Sequence, residues 1–177
     1  VAWTTFPSAG SKLRASVLQA LISEIRPTGA RKTANETVNN SNTPQNDDEL
    51  FVTVAASTLY TTKGLLIFTS GTTPDFRWTW SLPSGASHST NVKIFSRSLA
   101  APSQMVDTRT FITGNSGADG LGTTLSSQGQ IIEFTGYILT GANAGTAQLQ
   151  WSQNTANVSD TILYAGSYIE LKRITAS

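Results

Sequence analysis

The chain has no cysteine, so neither a disulfide framework nor a thiolate metal site can form. Charge is scarce too. Asp, Glu, Lys and Arg make up 13% of the 177 residues, about half the ~25% of ordinary soluble proteins. With a formal net charge of +1 and its basic residues scattered, the sequence lacks the basic stripe of a nucleic-acid binder. No run approaches the ~18 apolar residues of a membrane span, and the N-terminal residues hold no signal-peptide-like apolar region. The expectation is of no nucleic-acid partner and no membrane partner. The absence of cysteine fits any redox compartment. Ser, Thr, Asn and Gly fill the places that charges leave, which suits a β-rich protein with a polar but weakly charged surface. The length is that of one domain with a short appendage, enough to bury a core without covalent staples.

The first thirty residues have a pattern of their own. In "SKLRASVLQALISEIRP", Leu13, Val17, Leu18, Leu21, Ile22 and Ile25 fall at helical spacing and form one apolar stripe. Ser11 is placed to cap such a helix, and Pro27 and Gly29 stop it, which predicts an amphipathic helix over 11–26. About four turns are marginal alone in water, so the stripe needs a partner surface. Trp3 and Phe6 precede it without an evident core. Either they pack back on this helix or both dock onto something else. Residues 1–30 read as a separate N-terminal segment and 31–49 as a polar linker, with a β-sandwich head over 50–177.

After Pro27 the period becomes two. Leu50–Ala55 and Leu59–Thr69 read as strands, and "DFRWTWSLPSG" sets Phe76, Trp78, Trp80 and Leu82 against Asp75, Arg77, Thr79 and Ser81. Further strands are expected at Asn91–Ser96, Met105–Thr113, Gln130–Leu139, Ala147–Ser152, Asp160–Tyr164 and Ser167–Ile174. Gly-, Ser- and Asn-rich turns separate them. The fold class is mainly β: a sandwich or jelly roll of about eight strands, preceded by one N-terminal helix.

Candidate chemistry is thin. Asp47, Asp48 and Glu49 stand together ahead of an apolar run. Their loop lacks the ligand order of an EF-hand, and adjacent residues of a strand point to opposite faces. A solvated strand entry is the expectation. A paired-carboxylate hydrolase would have to draw on Asp47, Glu133 or Glu170, which nothing in the sequence brings together. The single histidine, His88, sits in the turn-like "SGASHST", with no nucleophile elbow anywhere. "GADGLG" (117–122) lacks the lysine and following helix of a phosphate loop. Sequons at Asn35, Asn39 and Asn157 matter only in a glycosylating host. Trp78 and Trp80 are candidate glycan contacts, along with His88, but their alternation equally suits a core. No catalytic residue, metal ligand or cofactor is assigned.

Several strands are apolar on both faces. Ile132, Phe134 and Ile138 oppose Ile131, Tyr137 and Leu139, and Ile169 and Leu171 oppose Tyr168 and Ile174. One face fills a core. The other, with no helix to cover it, predicts a homo-oligomer, specifically a trimer.

"KLRASVLQALISEIRP", "ARKTANETVNNSNTPQNDDELFVTV", "SGTTPDF", "LQWSQNT" and "AGSYIELKRI" resemble stretches of small virion proteins of actinobacteriophages. Those proteins are of the minor-tail, tail-fibre or head-decoration type. The likeness runs in order from Lys12 to Ile174, and the closing "GSYIELKRI" is similar to the last strand of tumour-necrosis-factor-like trimeric jelly rolls. The resemblance implies a non-enzymatic protein of the virion. Trp3, Phe6, Leu13, Val17, Leu18, Leu21, Ile22 and Ile25 would attach it to a capsid or tail protein. A trimeric β-head would project, with loops near Thr72–Asp75, Ser84–Asn91 and Asn115–Gln128 open to a host surface. The rival expectation is a carbohydrate- or host-receptor-binding module of a tail fibre.

Overall fold

A backbone whose side chains alternate between polar and apolar buries one face only as a sheet, and from Thr28 onward the chain does so repeatedly. The computed structural model describes residues 26–71, 73–97, 105–113 and 129–174, with Ala15, Ser16, Leu18, Gln19 and Ile22 ahead of them. Among the described residues there are eleven strands. They are β1 (Thr28–Arg31), β2 (Glu36–Val38), β3 (Gln45–Val54), β4 (Leu59–Thr69), β5 (Phe76–Ser81) and β6 (Ser87–Arg97). Then follow β7 (Met105–Thr113), β8 (Gln130–Leu139), β9 (Gly145–Gln153), β10 (Thr161–Leu163) and β11 (Tyr168–Ile174).

They form two antiparallel sheets. The larger runs β1-β11-β4-β8-β6-β7, with β10 bridging β4 to β2, and the smaller runs β3-β9-β5. Inward-facing residues of both sheets make one core. Leu66, Phe68, Val92, Ile132, Phe134, Ile138, Ile169 and Leu171 come from the larger sheet. Leu50, Val52, Val54, Phe76, Trp78, Trp80, Leu149 and Trp151 come from the smaller. Aromatic rings meet across the middle. Phe68 stacks on Phe76 with centroids 4.4 Å apart, and Phe134 lies 4.9 Å from Trp78 and 5.9 Å from Trp80. Each buried Phe contributes about 1.5–3 kcal/mol, and each well-placed ring pair about 0.5–1.5 kcal/mol more.

The nine expected strand segments match β3 to β11, and all but the three-residue β10 run six residues or more, enough for a period-two signal. One expectation changes, and another falls mostly on residues that are not described. Residues 31–49 are not a free linker: they include β2 and the start of β3, and β1 just ahead pairs with β11 from Thr28↔Leu171 to Arg31↔Tyr168. Strands of three or four residues are too short to show a period. The helix over 11–26 lies largely outside the described residues, and no continuous helix is described there. Ala15, Ser16, Leu18, Gln19 and Ile22 are helical, and the Arg26 N–H donates to the Ile22 carbonyl at 3.0 Å.

One position shows how tightly the inner face of the larger sheet is packed. Gly64 lies opposite Phe134 in the β4–β8 ladder. A Cβ there would overlap the Phe134 ring and stand 2.7 Å from the Tyr168 carbonyl oxygen. Gly64→Ala is expected to destabilise the fold by about 1–3 kcal/mol through overpacking. The measurement is urea unfolding, with a lower midpoint and an unchanged m-value.

Candidate functional site

The three consecutive acids have three different fates. β3 pairs with β9 at Asn46↔Gln150 and again at Phe51↔Gln148, so residues 47–50 oppose Leu149 alone. The strand bulges there, and a bulge breaks side-chain alternation. Asp47 and Leu50 both turn inward, although they are three positions apart. Asp47 is fully buried, which corrects the expectation of a solvated strand entry, whereas Asp48 stays exposed.

Asp47 is well provided with partners. Its Oδ1 accepts the N–H groups of Glu49 at 2.9 Å and Leu50 at 2.7 Å. Its carbonyl accepts Gln148 Nε2 at 2.9 Å, and Oδ2 accepts Lys32 Nζ at 2.7 Å. Lys32 is 1% exposed, a rarity for an ammonium group. Its backbone is clamped against the β10–β11 turn, donating to the Ser167 carbonyl at 2.8 Å and accepting from Gly166 at 3.0 Å. Glu36 of β2 brings Oε2 to 2.7 Å from Nζ, and its Oε1 accepts Gln45 Nε2 at 2.7 Å. Burial pulls the Lys32 pKa down. The hydrogen bonds to Asp47 and Glu36, with their charges, more than offset this and leave it above the ordinary 10.5.

Glu49 closes the neighbouring turn. Its carboxylate accepts the Thr33 hydroxyl, the Thr33 N–H at 2.9 and 3.0 Å, and the Ala34 N–H at 3.3 Å. The Thr33 hydroxyl first, then its N–H, hold this carboxyl below the usual 4.5.

The remaining candidates do not converge. Trp78 and Trp80 are core residues, unavailable as a sugar platform on this surface. His88 is buried in β6 rather than exposed in a turn, because it alternates inward with Thr90 and Val92 opposite Ile138, Gly136 and Phe134. Glu170 pairs with Lys63 at 2.9 Å on the outer face of the larger sheet. Glu133 stands on that same face, with β4 between the two, and Asp47 belongs to the other sheet. The sequon amides serve turns. Asn35 Oδ1 accepts from Ala165, Asn39 Nδ2 donates to Asp160, and Asn157 Oδ1 accepts from Ser159. Among the described residues, no group of three or more His, Cys, Asp or Glu is placed to hold a metal.

Of the attachment residues, Leu18 and Ile22 are described and exposed, while Trp3, Phe6, Leu13, Val17, Leu21 and Ile25 lie outside the described residues. So do Thr72 and the 115–128 loop. Most of Ser84–Asn91 is strand β6 rather than loop.

An apolar row lies on the outer face of the larger sheet. Register sets Ile174, Leu59 and Leu139 side by side across β11, β4 and β8, exposed by 39, 37 and 46%. Tyr137, 45% exposed, adjoins them two residues along β8.

No family model and no curated protein matches this chain. Among solved structures, one similar chain comes from infectious bursal disease virus, Gt strain, at 9% identity and a TM-score of 0.20. The match covers 84% of this chain and 41% of that one, so the chain spans about two fifths of the viral chain's length. A superposition this loose carries neither fold nor function across.

Lys32→Met would leave the Asp47 carboxylate buried without its cation, and a loss of about 3–5 kcal/mol is expected in chemical denaturation. Lys32→Met with Asp47→Asn should recover part of it, since the amide oxygen can still accept from Glu49 and Leu50. Glu49 supplies a pH signature. A depressed folded pKa contributes stability above the unfolded value, which is lost as pH falls below 4.5 and through the folded value. The fall in Tm on acidification through that window is expected to be smaller in Glu49→Gln than in the wild type.

Proposed function

We propose that the chain is a non-enzymatic structural protein of a phage virion surface: a decoration, head-fibre or minor tail protein. Its N-terminal segment attaches to another virion protein, and its β-sandwich stands out as a homotrimer. The observation that carries this reading is the apolar row of Ile174, Leu59 and Leu139 with Tyr137 beside it. Single exposed apolar residues are ordinary on any protein. A contiguous row on the flat face of a sheet is what an isologous or cyclic contact between copies would cover. The resemblance of the stretches between Lys12 and Ile174 to phage virion proteins supports the location. The exposed Leu18 and Ile22 fit a segment that docks elsewhere.

Light scattering at micromolar concentration is expected to show a trimer, and Leu59→Glu with Leu139→Glu to give a folded monomer. A wild-type monomer overturns the assembly. Deletion of residues 1–26 is expected to leave a folded β-domain that no longer joins particles, read by antibody labelling in electron microscopy. If the truncated protein still decorates particles, the attachment assignment is wrong.

A further inference from the structure

We propose that Lys32 and Asp47 condense within the folded chain into an intramolecular amide, with Glu36 as the proton carrier. Nucleophile and electrophile are enclosed together, with the general acid–base, 17% exposed, at their rim. Lys32 Nζ lies 2.7 Å from Asp47 Oδ2 and 2.7 Å from Glu36 Oε2, and the lysine and aspartate are 1% and 0% exposed. Reactants held in such contact no longer need to find one another, which removes the encounter cost of a bimolecular step.

The resting cluster is ionic, and attack needs a free amine and a protonated acid. One proton passing along the Nζ–Oδ2 hydrogen bond supplies both; burial works against the charged pair, and the hydrogen bonds that hold it keep the neutral pair the minor, reactive form. The Nζ lone pair then forms a bond to Asp47 Cγ. Negative charge gathers on Oδ1, which already faces the Glu49 and Leu50 N–H groups at 2.9 and 2.7 Å. Two backbone donors at these distances make an oxyanion site. Glu36 takes a proton from the nitrogen and returns it to Oδ2, the Cγ–Oδ2 bond breaks, and one water leaves. An ammonium and a carboxylate thus become an amide and a water, with no oxidant, reductant or cofactor. Gln45 holds the other oxygen of Glu36, leaving Oε2 turned to the lysine.

The exposed Lys63–Glu170 pair has a similar separation, 2.9 Å, yet it lies in solvent. Water reaches those charges and keeps them ionised. The buried site differs in this respect. It also differs in position: Lys32 follows a strand of the larger sheet and Asp47 belongs to the smaller, so the amide would tie the two layers together.

The experiment is the intact mass of the folded full-length chain, followed by peptide sequencing. The expected mass is one water below that of the sequence, carried by a peptide pair joined between Lys32 and Asp47, with no tryptic cleavage after Lys32. Lys32→Arg and Asp47→Ala should show their full sequence masses. Glu36→Gln, with the same circular dichroism as wild type, should also remain uncrosslinked. A folded wild-type chain that keeps its full mass on prolonged incubation overturns the proposal. So does a water loss that maps elsewhere, such as a succinimide at Asp119–Gly120. A cross-linked Glu36→Gln removes Glu36 from its role.

Discussion

Among the described residues no strand pairing joins the two sheets, so packed side chains hold their facing surfaces together. That constraint explains where the large aromatics are. Phe76, Trp78 and Trp80 of the smaller sheet meet Phe68 and Phe134 of the larger, bridging the gap between layers, and Trp151 backs Phe76 from within its own sheet. Sheets packed face to face stand about 10 Å apart, a distance that long inward side chains fill best. Gly64 follows from the same geometry, since the Phe134 ring occupies the volume where a side chain would be.

At one margin of the sandwich the tie is ionic rather than apolar. A buried ion pair is weak evidence for stability, because desolvating both charges costs about as much as their attraction returns. Here the cost is offset by unusually full satisfaction. The ammonium meets two carboxylates, and the aspartate accepts two further backbone N–H groups. The cluster also fastens a weak part of the fold. β1 and β2 have four and three residues, too few for a ladder to hold them firmly. Lys32 lies between them, and its side chain reaches β2 and β3 at once.

The larger sheet presents two unlike faces. Inward it is aromatic and aliphatic. Outward it carries a polar band, with the Lys63–Glu170 pair, and an apolar row at one end. Exposed ion pairs contribute little to stability because water screens them, so the band is better suited to keeping the face hydrated than to holding it in shape. The apolar row gains nothing from water. Its strands are central in their sheet, which leaves their side chains, not their backbone edges, free for contact.

The strands from Leu50 onward, the three-residue β10 apart, were legible because each runs over enough residues for period two to stand out. The two-faced character of β8 and β11 was legible for the same reason, with Tyr137, Leu139 and Ile174 read outward and now found exposed. Trp78 and Trp80 could be read as core or as platform, and only the opposing sheet decided for core. His88 looked like turn material because its neighbours are Ser, Gly and Ala, yet register with Ile138 draws it inside. Asp47 was misread because alternation assumes a regular strand, and the bulge at 47–50 breaks it. Lys32 and Glu36 carried no signal at all, being one isolated cation and one acid in a polar stretch. The sequence by itself determined a cysteine-free, weakly charged β-sandwich, since composition and periodicity are local properties. Tertiary structure alone decided which charges are buried together, because that depends on chain segments meeting across two sheets.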